Sequence, residues 1–192
     1  LLGSTIQRDD NGNKVVGSNG RYLVDNNITE IGDPNPDWTT ALIPTITFKN
    51  FTLSANIQYR HGGDVYSVTT AGLIGRGVVD PDDPIDRESN YIMPGVFADG
   101  TPNNVAITAT EFGFNTFFGG GINEVNIFDG TTIRVQEASL GYSIPKKMLD
   151  KTPFGSLSLT LSGSNLWYKA VNFPDDVRYD TNSSSTGVGN GQ

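Results

Sequence analysis

Apolar and polar positions alternate most regularly between Thr39 and Arg60. Leu42, Ile46 and Phe48 hold one parity against Thr45 and Thr47. After Lys49-Asn50, Phe51, Leu53, Ala55, Ile57 and Tyr59 alternate with Thr52, Ser54, Asn56, Gln58 and Arg60. A period of two is that of a strand with one apolar face. A two-residue turn at Lys49-Asn50 pairs Phe48 with Phe51, Ile46 with Leu53 and Leu42 with Ile57, which puts the apolar positions of both strands on one side. Asn50 is the expected left-handed residue of that turn. Pro44 cannot donate to a ladder and marks an edge or a bulge.

A second alternating stretch begins at Thr131. Ile133 and Val135 share a face that Ala138, Leu140, Tyr142 and Ile144 continue after a change of phase, and a bulge near Gln136-Glu137 reconciles the two halves. Pro145 ends the strand, Lys146 to Gly155 connect, and Leu157, Leu159 and Leu161 then alternate with Ser156, Ser158, Thr160 and Ser162. Beyond Gly163 the phase is ambiguous. The stretch from Gly62 to Gly130 is rich in Gly, Pro, Asp and Asn, with Asp80-Pro81-Asp82-Asp83-Pro84 and Gly119-Gly120-Gly121 as its strongest breakers. Asn11-Gly12 and Asn19-Gly20 signal short hairpins. The expected organisation is a loop and hairpin region over 1–38, a hairpin over 39–61, a long loop region over 62–130, a second hairpin over 131–168, and a loop over 169–192.

Composition narrows the class. Only 36% of the 192 residues are hydrophobic, and 23 Gly with abundant Asn, Thr and Ser disfavour helix interiors, so the fold is expected to be all-β. A net charge of −8 without a basic stripe argues against nucleic acid as a partner. There is no Cys, hence no disulfide framework and no thiolate metal site. No apolar run approaches the roughly 20 residues of a membrane helix, whereas a barrel strand needs only about 9–11 of alternating pattern. The chain begins without Met or a signal pattern and is expected to be a fragment.

An alternating strand buries its apolar face against protein or lipid, and alternation alone does not choose. Phe48 and Phe51 flank the short turn while Trp38 and Tyr59 lie at the opposite strand ends, the placement of two interfacial girdles. On pattern, a membrane barrel and a soluble secreted β-sandwich, such as a glycan-binding module, both stand.

Five motifs separate them. Gly32-Asp33-Pro34-Asn35-Pro36-Asp37-Trp38 resembles the G-[DN]-P-N-P-D-W motif of the SusC/RagA group of TonB-dependent outer-membrane transporters of the Bacteroidetes. Arg60-His61-Gly62-Gly63-Asp64-Val65-Tyr66 resembles its R-x-G-G-D-[VI]-Y stretch, and the segment from Pro94 to Asn103 its P-G-V-x-x-D-G-x-P-N loop. The segment from Asp129 to Tyr142 is similar to D-[AG]-[ST]-[FY]-[IV]-R-L-R-[EN]-[VA]-[ST]-L-G-Y, and that from Ser162 to Leu166 to S-[GA]-x-N-L. Each motif alone is mostly turn chemistry; their shared order carries the resemblance. Gln136 departs from it, standing where Arg is common.

The resemblance implies an antiparallel transmembrane β-barrel, of which this chain is a C-terminal fragment lacking the plug, the TonB-contacting segment and the last strand. It implies an importer of oligosaccharides or oligopeptides in the bacterial outer membrane, not an enzyme, partnered by a SusD-like surface lipoprotein and driven by TonB through the missing N-terminal part. Thr45, Thr47, Thr52, Ser54, Asn56, Gln58, Arg60, Arg134, Ser158, Thr160 and Ser162 are then the lumen-facing candidates, with Arg60 and Arg134 placed to meet plug carboxylates. Tyr91, Phe97, Phe112, Phe114, Phe117 and Phe118 are candidates for contact with substrate or lipoprotein, set against packing among themselves. No cofactor is expected. Asp80, Asp82, Asp83 and Asp86 carry the hard oxygens Ca²⁺ prefers, but Pro81 and Pro84 break any defined calcium-loop spacing, so a solvated acidic loop is the expectation. His61 is the single histidine and the only base a Ser-His-Asp triad could use. Its place beside Gly62-Gly63 points instead to a strand-to-loop transition.

Overall fold

The computed structural model describes residues 1–78, 86–117, 121–173 and 177. The expectations for Asp80, Asp82, Asp83, Phe118, the side chain of Phe117 and most of the loop expected over 169–192 lie outside these residues. In chain order the strands are β1 (Leu2–Ile6), β2 (Val24–Glu30), β3 (Trp38–Leu42), β4 (Thr45–Phe48), β5 (Phe51–His61), β6 (Asp64–Tyr66), β7 (Asn90–Ile92), β8 (Ala106–Thr108), β9 (Ile127–Asp129), β10 (Thr132–Ser143) and β11 (Ser158–Ala170). The helices are α1 (Val68–Gly75), α2 (Ala109–Phe117) and α3 (Lys146–Leu149). Every strand-to-strand pairing among the described residues is antiparallel. The chain divides into two compact units.

One unit, Pro36–Gly62 with Thr131–Val171, is a single open sheet. Its order is β11-β10-β5-β3, with β4 also on β5. The turn at Lys49-Asn50 sets the expected register: Phe48 faces Phe51, Ile46 faces Leu53, and Leu42 faces Ile57. Pro44 interrupts the edge strand without slipping it, because its carbonyl still accepts from the Ala55 amide at 3.1 Å. The turn differs in one respect: the left-handed residue is Lys49, with φ 54°, and not Asn50. Asn50 is committed elsewhere, its Nδ2 donating to the Ser143 carbonyl at 2.7 Å and its own carbonyl accepting from the Ser143 amide at 2.8 Å. It ties the turn to β10.

The bulge forms where the change of phase requires it. Between Val135 and Glu137 the register shifts against both neighbours, so Gln136 is the extra residue against β5. Against β11 the extra residue is on the other strand, around Asn165, which takes φ 51°. This second bulge is why the phase after Gly163 is unreadable in the sequence. Asn tolerates the left-handed region because its short amide hydrogen-bonds locally.

The other unit comprises Leu1–Asn35, Gly63–Gly130 and the residues from Asn172. Ile6, Val16, Tyr22, Met93, Ile107 and Ile122 are its buried core, with Val24, Phe112 and Val125 packed on it. Both expected N-terminal turns form: Gly12 and Gly20 take φ 82° and 79°, and Arg8 bridges Lys14 as Val16 bridges Tyr22. The breaker-rich middle holds two helices that alternation does not reveal. Ser67 caps α1, its Oγ accepting from the Thr70 amide at 3.2 Å. Thr108 and Glu111 close a reciprocal capping box on α2, the Glu111 amide donating to Thr108 Oγ1 at 3.3 Å and the Thr108 amide to Glu111 Oε2 at 3.2 Å. The two helices approach so closely that a Cβ on Gly113 would collide with the Gly75 carbonyl.

Candidate functional site

The sheet has two chemically different faces, and the register assigns each residue to one of them. Residues opposite each other in an antiparallel pair share a face. The apolar face therefore runs in rows across the strands: Phe48, Phe51, Tyr142 and Leu159; Ile46, Leu53, Leu140 and Leu161; Ala55, Ala138 and Gly163; Leu42, Ile57, Val135 and Trp167. Most of these side chains are exposed, Leu161 by 76% and Ile46 by 60%, although a water-soluble sheet of this composition would cover them.

Aromatic rings close both ends of this face. At the tight-turn end Phe51 and Tyr142 lie 4.7 Å apart, and at the other end Trp38 is 5.2 Å from Tyr59. Eight residues separate Phe51 from Tyr59, roughly 27 Å along a strand. A barrel tilt of about 40° projects that length to about 20 Å, near the height of an outer-membrane apolar band.

All eleven lumen candidates fall on the opposite face. Thr45, Ser54, Ser139 and Ser162 form one row, and Thr47, Thr52, Gly141 and Thr160 the next. Ser158 lies beyond them, opposite Ser143, while Asn56 faces Glu137 and Gln58 faces Arg134. Ser54 Oγ and Ser139 Oγ are 2.7 Å apart, and Thr47 and Thr52 hydroxyls 3.4 Å. The Arg134 guanidinium lies 5.9 Å from the Tyr168 ring centre, within cation–π range. Arg60 sits opposite Thr132, diagonal to Arg134. The face is thus graded, small hydroxyls near the tight turn and guanidinium, amide and phenol groups away from it. Ser139, Ser143 and Tyr168 belong to it too; placing them needs both bulges, of which the sequence reveals only one.

His61 lies at the far end of the apolar face. Its ring is 5.5 Å from Trp38 and 6.3 Å from Tyr59, and its Nε2 is 3.8 Å from Asp37 Oδ2. Nδ1 is buried with no hydrogen-bond partner among the described residues. A triad needs one imidazole nitrogen on the carboxylate and the other on a nucleophile. Here the second nitrogen reaches none. Gly62 beside it takes φ 71°, and a Cβ there would strike the Asp37 carboxylate.

In the other unit the first two motif segments lock together. The Asp33 amide donates to Asp64 Oδ2 at 2.9 Å, and the Asp64 amide to the Asp33 carbonyl at 2.6 Å. The Asn35 amide and side chain both donate to Asp33 Oδ1, holding the Asp33 carboxyl below its usual range. The third segment is a turn: the Thr101 hydroxyl and amide hold the Asp99 carboxyl low, and the Gly95-Val96 backbone packs on Lys14, whose carbonyl accepts from the Val96 amide at 2.9 Å.

Among the aromatic candidates, Tyr91 stacks on Phe112 at 4.6 Å and Phe112 in turn packs on the core. Phe97 is half-buried in the turn that its carbonyl closes onto the Gly100 amide. Phe114 is 47% exposed and lines a cavity of about 480 Å³ with Gly75, Arg76, Val78, Arg87, Ala109 and Thr110. Phe117 ends α2. Asp86 is occupied by its own turn, the Ser89 hydroxyl above all lowering its pKa. No cluster of three or more His, Asp or Glu able to hold a metal ion occurs among the described residues. No helix among them is long and apolar enough to cross a membrane.

A two-faced antiparallel sheet, apolar and exposed on one side, hydroxylic on the other and girdled by aromatics at both ends, has the construction of an outer-membrane barrel wall. No family model matches the chain. It is similar to the TonB-dependent receptor P3 of Formosa agariphila, with 28% identity over 164 residues that cover 83% of this chain. The chain spans about 15% of that relative's length. The similarity supports the TonB-dependent transporter family, and the chain is an all-β fragment consistent with such a barrel, its sheets not closed on themselves among the described residues.

Proposed function

We propose that this chain is part of a TonB-dependent importer of the SusC/RagA kind in the bacterial outer membrane, a transporter and not an enzyme. The single observation that carries the reading is the register of the sheet, which collects the large aliphatic rows on one largely exposed face and every lumen candidate on the other. In this reading the apolar face meets lipid, and Thr45, Thr47, Thr52, Ser54, Asn56, Gln58, Arg60, Arg134, Ser158, Thr160 and Ser162 line the aqueous interior. The unit holding Tyr91, Phe97, Phe112 and Phe114 is the outer-surface portion that meets substrate and a SusD-like lipoprotein. Oligosaccharides or oligopeptides are the substrates, and TonB supplies the energy through residues elsewhere in the full protein.

Membrane fractionation of the full-length protein tests the reading. Extraction by detergent alone, with heat-dependent gel mobility, is the expected outcome. Recovery as a soluble folded protein would overturn it in favour of a secreted β-sandwich. Loss of growth on one oligosaccharide or peptide when the gene is deleted would then define the substrate class, and co-purification of a lipoprotein would identify the partner.

A further inference from the structure

The tight-turn end of the sheet concentrates positive charge in an otherwise acidic chain. Of six lysines, Lys49 is in the β4–β5 turn and Lys146, Lys147 and Lys151 are in the β10–β11 connection. The two connections lie side by side, since Asn50 and Ser143 exchange hydrogen bonds and the Ile144 amide donates to the Leu157 carbonyl at 2.9 Å. Four lysines stand here against one carboxylate in the same two connections, Asp150, a formal excess of three positive charges in a protein of net −8.

All four lysines are exposed, and none makes an ion pair among the described residues, whereas Arg8 and Arg21 are paired with Glu124 and Glu111. The β10–β11 connection, which presents three of them, is held by its own contacts. Leu149 is buried, its carbonyl accepts from the Thr152 amide and hydroxyl at 2.8 Å, and the Met148 amide donates to the Pro145 carbonyl at 2.9 Å. Large apolar side chains are interleaved with the charges: Phe48 and Met148 are each 68% exposed, and Phe154 is 57% exposed. Lys49 Nζ lies 5.3 Å from the Phe48 ring centre.

Unneutralised ammonium groups beside exposed aromatic and thioether side chains, continuous with the aromatic end of an apolar face, match the boundary between acyl chains and anionic headgroups. We infer that Lys49, Lys146, Lys147 and Lys151 form a binding rim for anionic phospholipid headgroups. Phe48, Met148 and Phe154 seat in the acyl region beneath them. The inference rests on the membrane reading of the sheet. The other end of the sheet is mixed in sign, with Asp37 alongside Arg60 and Lys169, and carries no such rim.

The test uses the full-length protein reconstituted in phosphatidylcholine nanodiscs with and without phosphatidylglycerol, with retained lipid counted by native mass spectrometry after detergent release. A lysine close to an anionic surface is worth on the order of a fivefold enrichment. The wild type is therefore expected to retain phosphatidylglycerol over phosphatidylcholine by about tenfold or more, falling at high salt. The K49Q/K146Q/K147Q/K151Q variant loses the preference, the corresponding Lys→Arg variant keeps it, and Lys14→Gln, which lies in the other unit, leaves it unchanged. Equal retention of the two lipids by a wild-type protein that inserts normally overturns the lipid rim and leaves the barrel reading intact. Failure of the wild type to insert at all overturns both.

Discussion

The amide of Asp33 donates to the side chain of Asp64 at 2.9 Å, and the amide of Asp64 returns a 2.6 Å bond to the carbonyl of Asp33. Two recurrent-looking segments, thirty-one residues apart, are thereby one structural feature. Gly32 is part of it, since a Cβ there would lie 2.6 Å from Asp64 Oδ2. Asp64→Ala removes the acceptor of the solvent-exposed Asp33 amide and is expected to destabilise the unit by about 0.5–1.5 kcal/mol. Asp64→Asn, which keeps an acceptor oxygen, loses less. Limited proteolysis near Gly32, compared across wild type and both variants, reads the difference, and equal cleavage in all three would refute the clasp.

Helix α2 crosses α1 with backbone against backbone. Gly113→Ala places a methyl group into the Gly75 carbonyl, which no side-chain rotation relieves. The expected loss is about 1–3 kcal/mol, of the size seen for overpacked cores. Thermal melting of the full-length variant checks it. Gly155→Ala, where a Cβ meets nothing within 4 Å, is the matched control and should melt as wild type.

Ala138 and Ser139 are neighbours on β10 that face opposite ways, Ala138 in the middle row of the apolar face and Ser139 in the hydroxyl row. Arg at the midplane of a lipid-facing surface costs about 2–4 kcal/mol, and lumen substitutions are tolerated. Ala138→Arg is therefore expected to weaken folding into bilayers, scored by urea titration of heat-dependent gel mobility, while Ser139→Arg folds and alters uptake. The reverse ranking would invert the assignment of faces.

Glu111 gives a pH signature. The Arg21 guanidinium, 2.6 Å away, holds the Glu111 carboxyl below its ordinary value of 4.5, helped by the Thr108 amide and hydroxyl. A carboxylate with a depressed folded-state pKa contributes stability that is fully present above its unfolded pKa and is lost as pH falls through the folded one. Melting temperature should thus drop on acidification below about pH 4.5, as Glu111 and the similarly held Asp33 and Asp99 protonate. In Glu111→Gln the acid limb should be shallower, and a slope unchanged from wild type would remove Glu111 from the account.

Sequence alone determined the amphipathic sheet, and the reason is local. A strand repeats every two residues, so Phe51 to Tyr59 declare their face without reference to anything distant, and the turn at Lys49-Asn50 carries the same parity into Leu42, Ile46 and Phe48. The change of phase after Val135 betrayed the Gln136 bulge for the same reason. The tertiary structure decided what depends on partners remote in the chain. Lys49 rather than Asn50 takes the left-handed turn position because Asn50 is held by Ser143, ninety-three residues away. The bulge at Asn165 appears only once β11 is laid against β10. Helices α1 and α2 are too short and too rich in Gly and Thr for propensity to announce them, and they are stabilised by caps and by their close approach at Gly113 and Gly75. The lysine rim is of the same kind: Lys49 and Lys146 are far apart in sequence, and antiparallel register brings their connections to one end of the sheet.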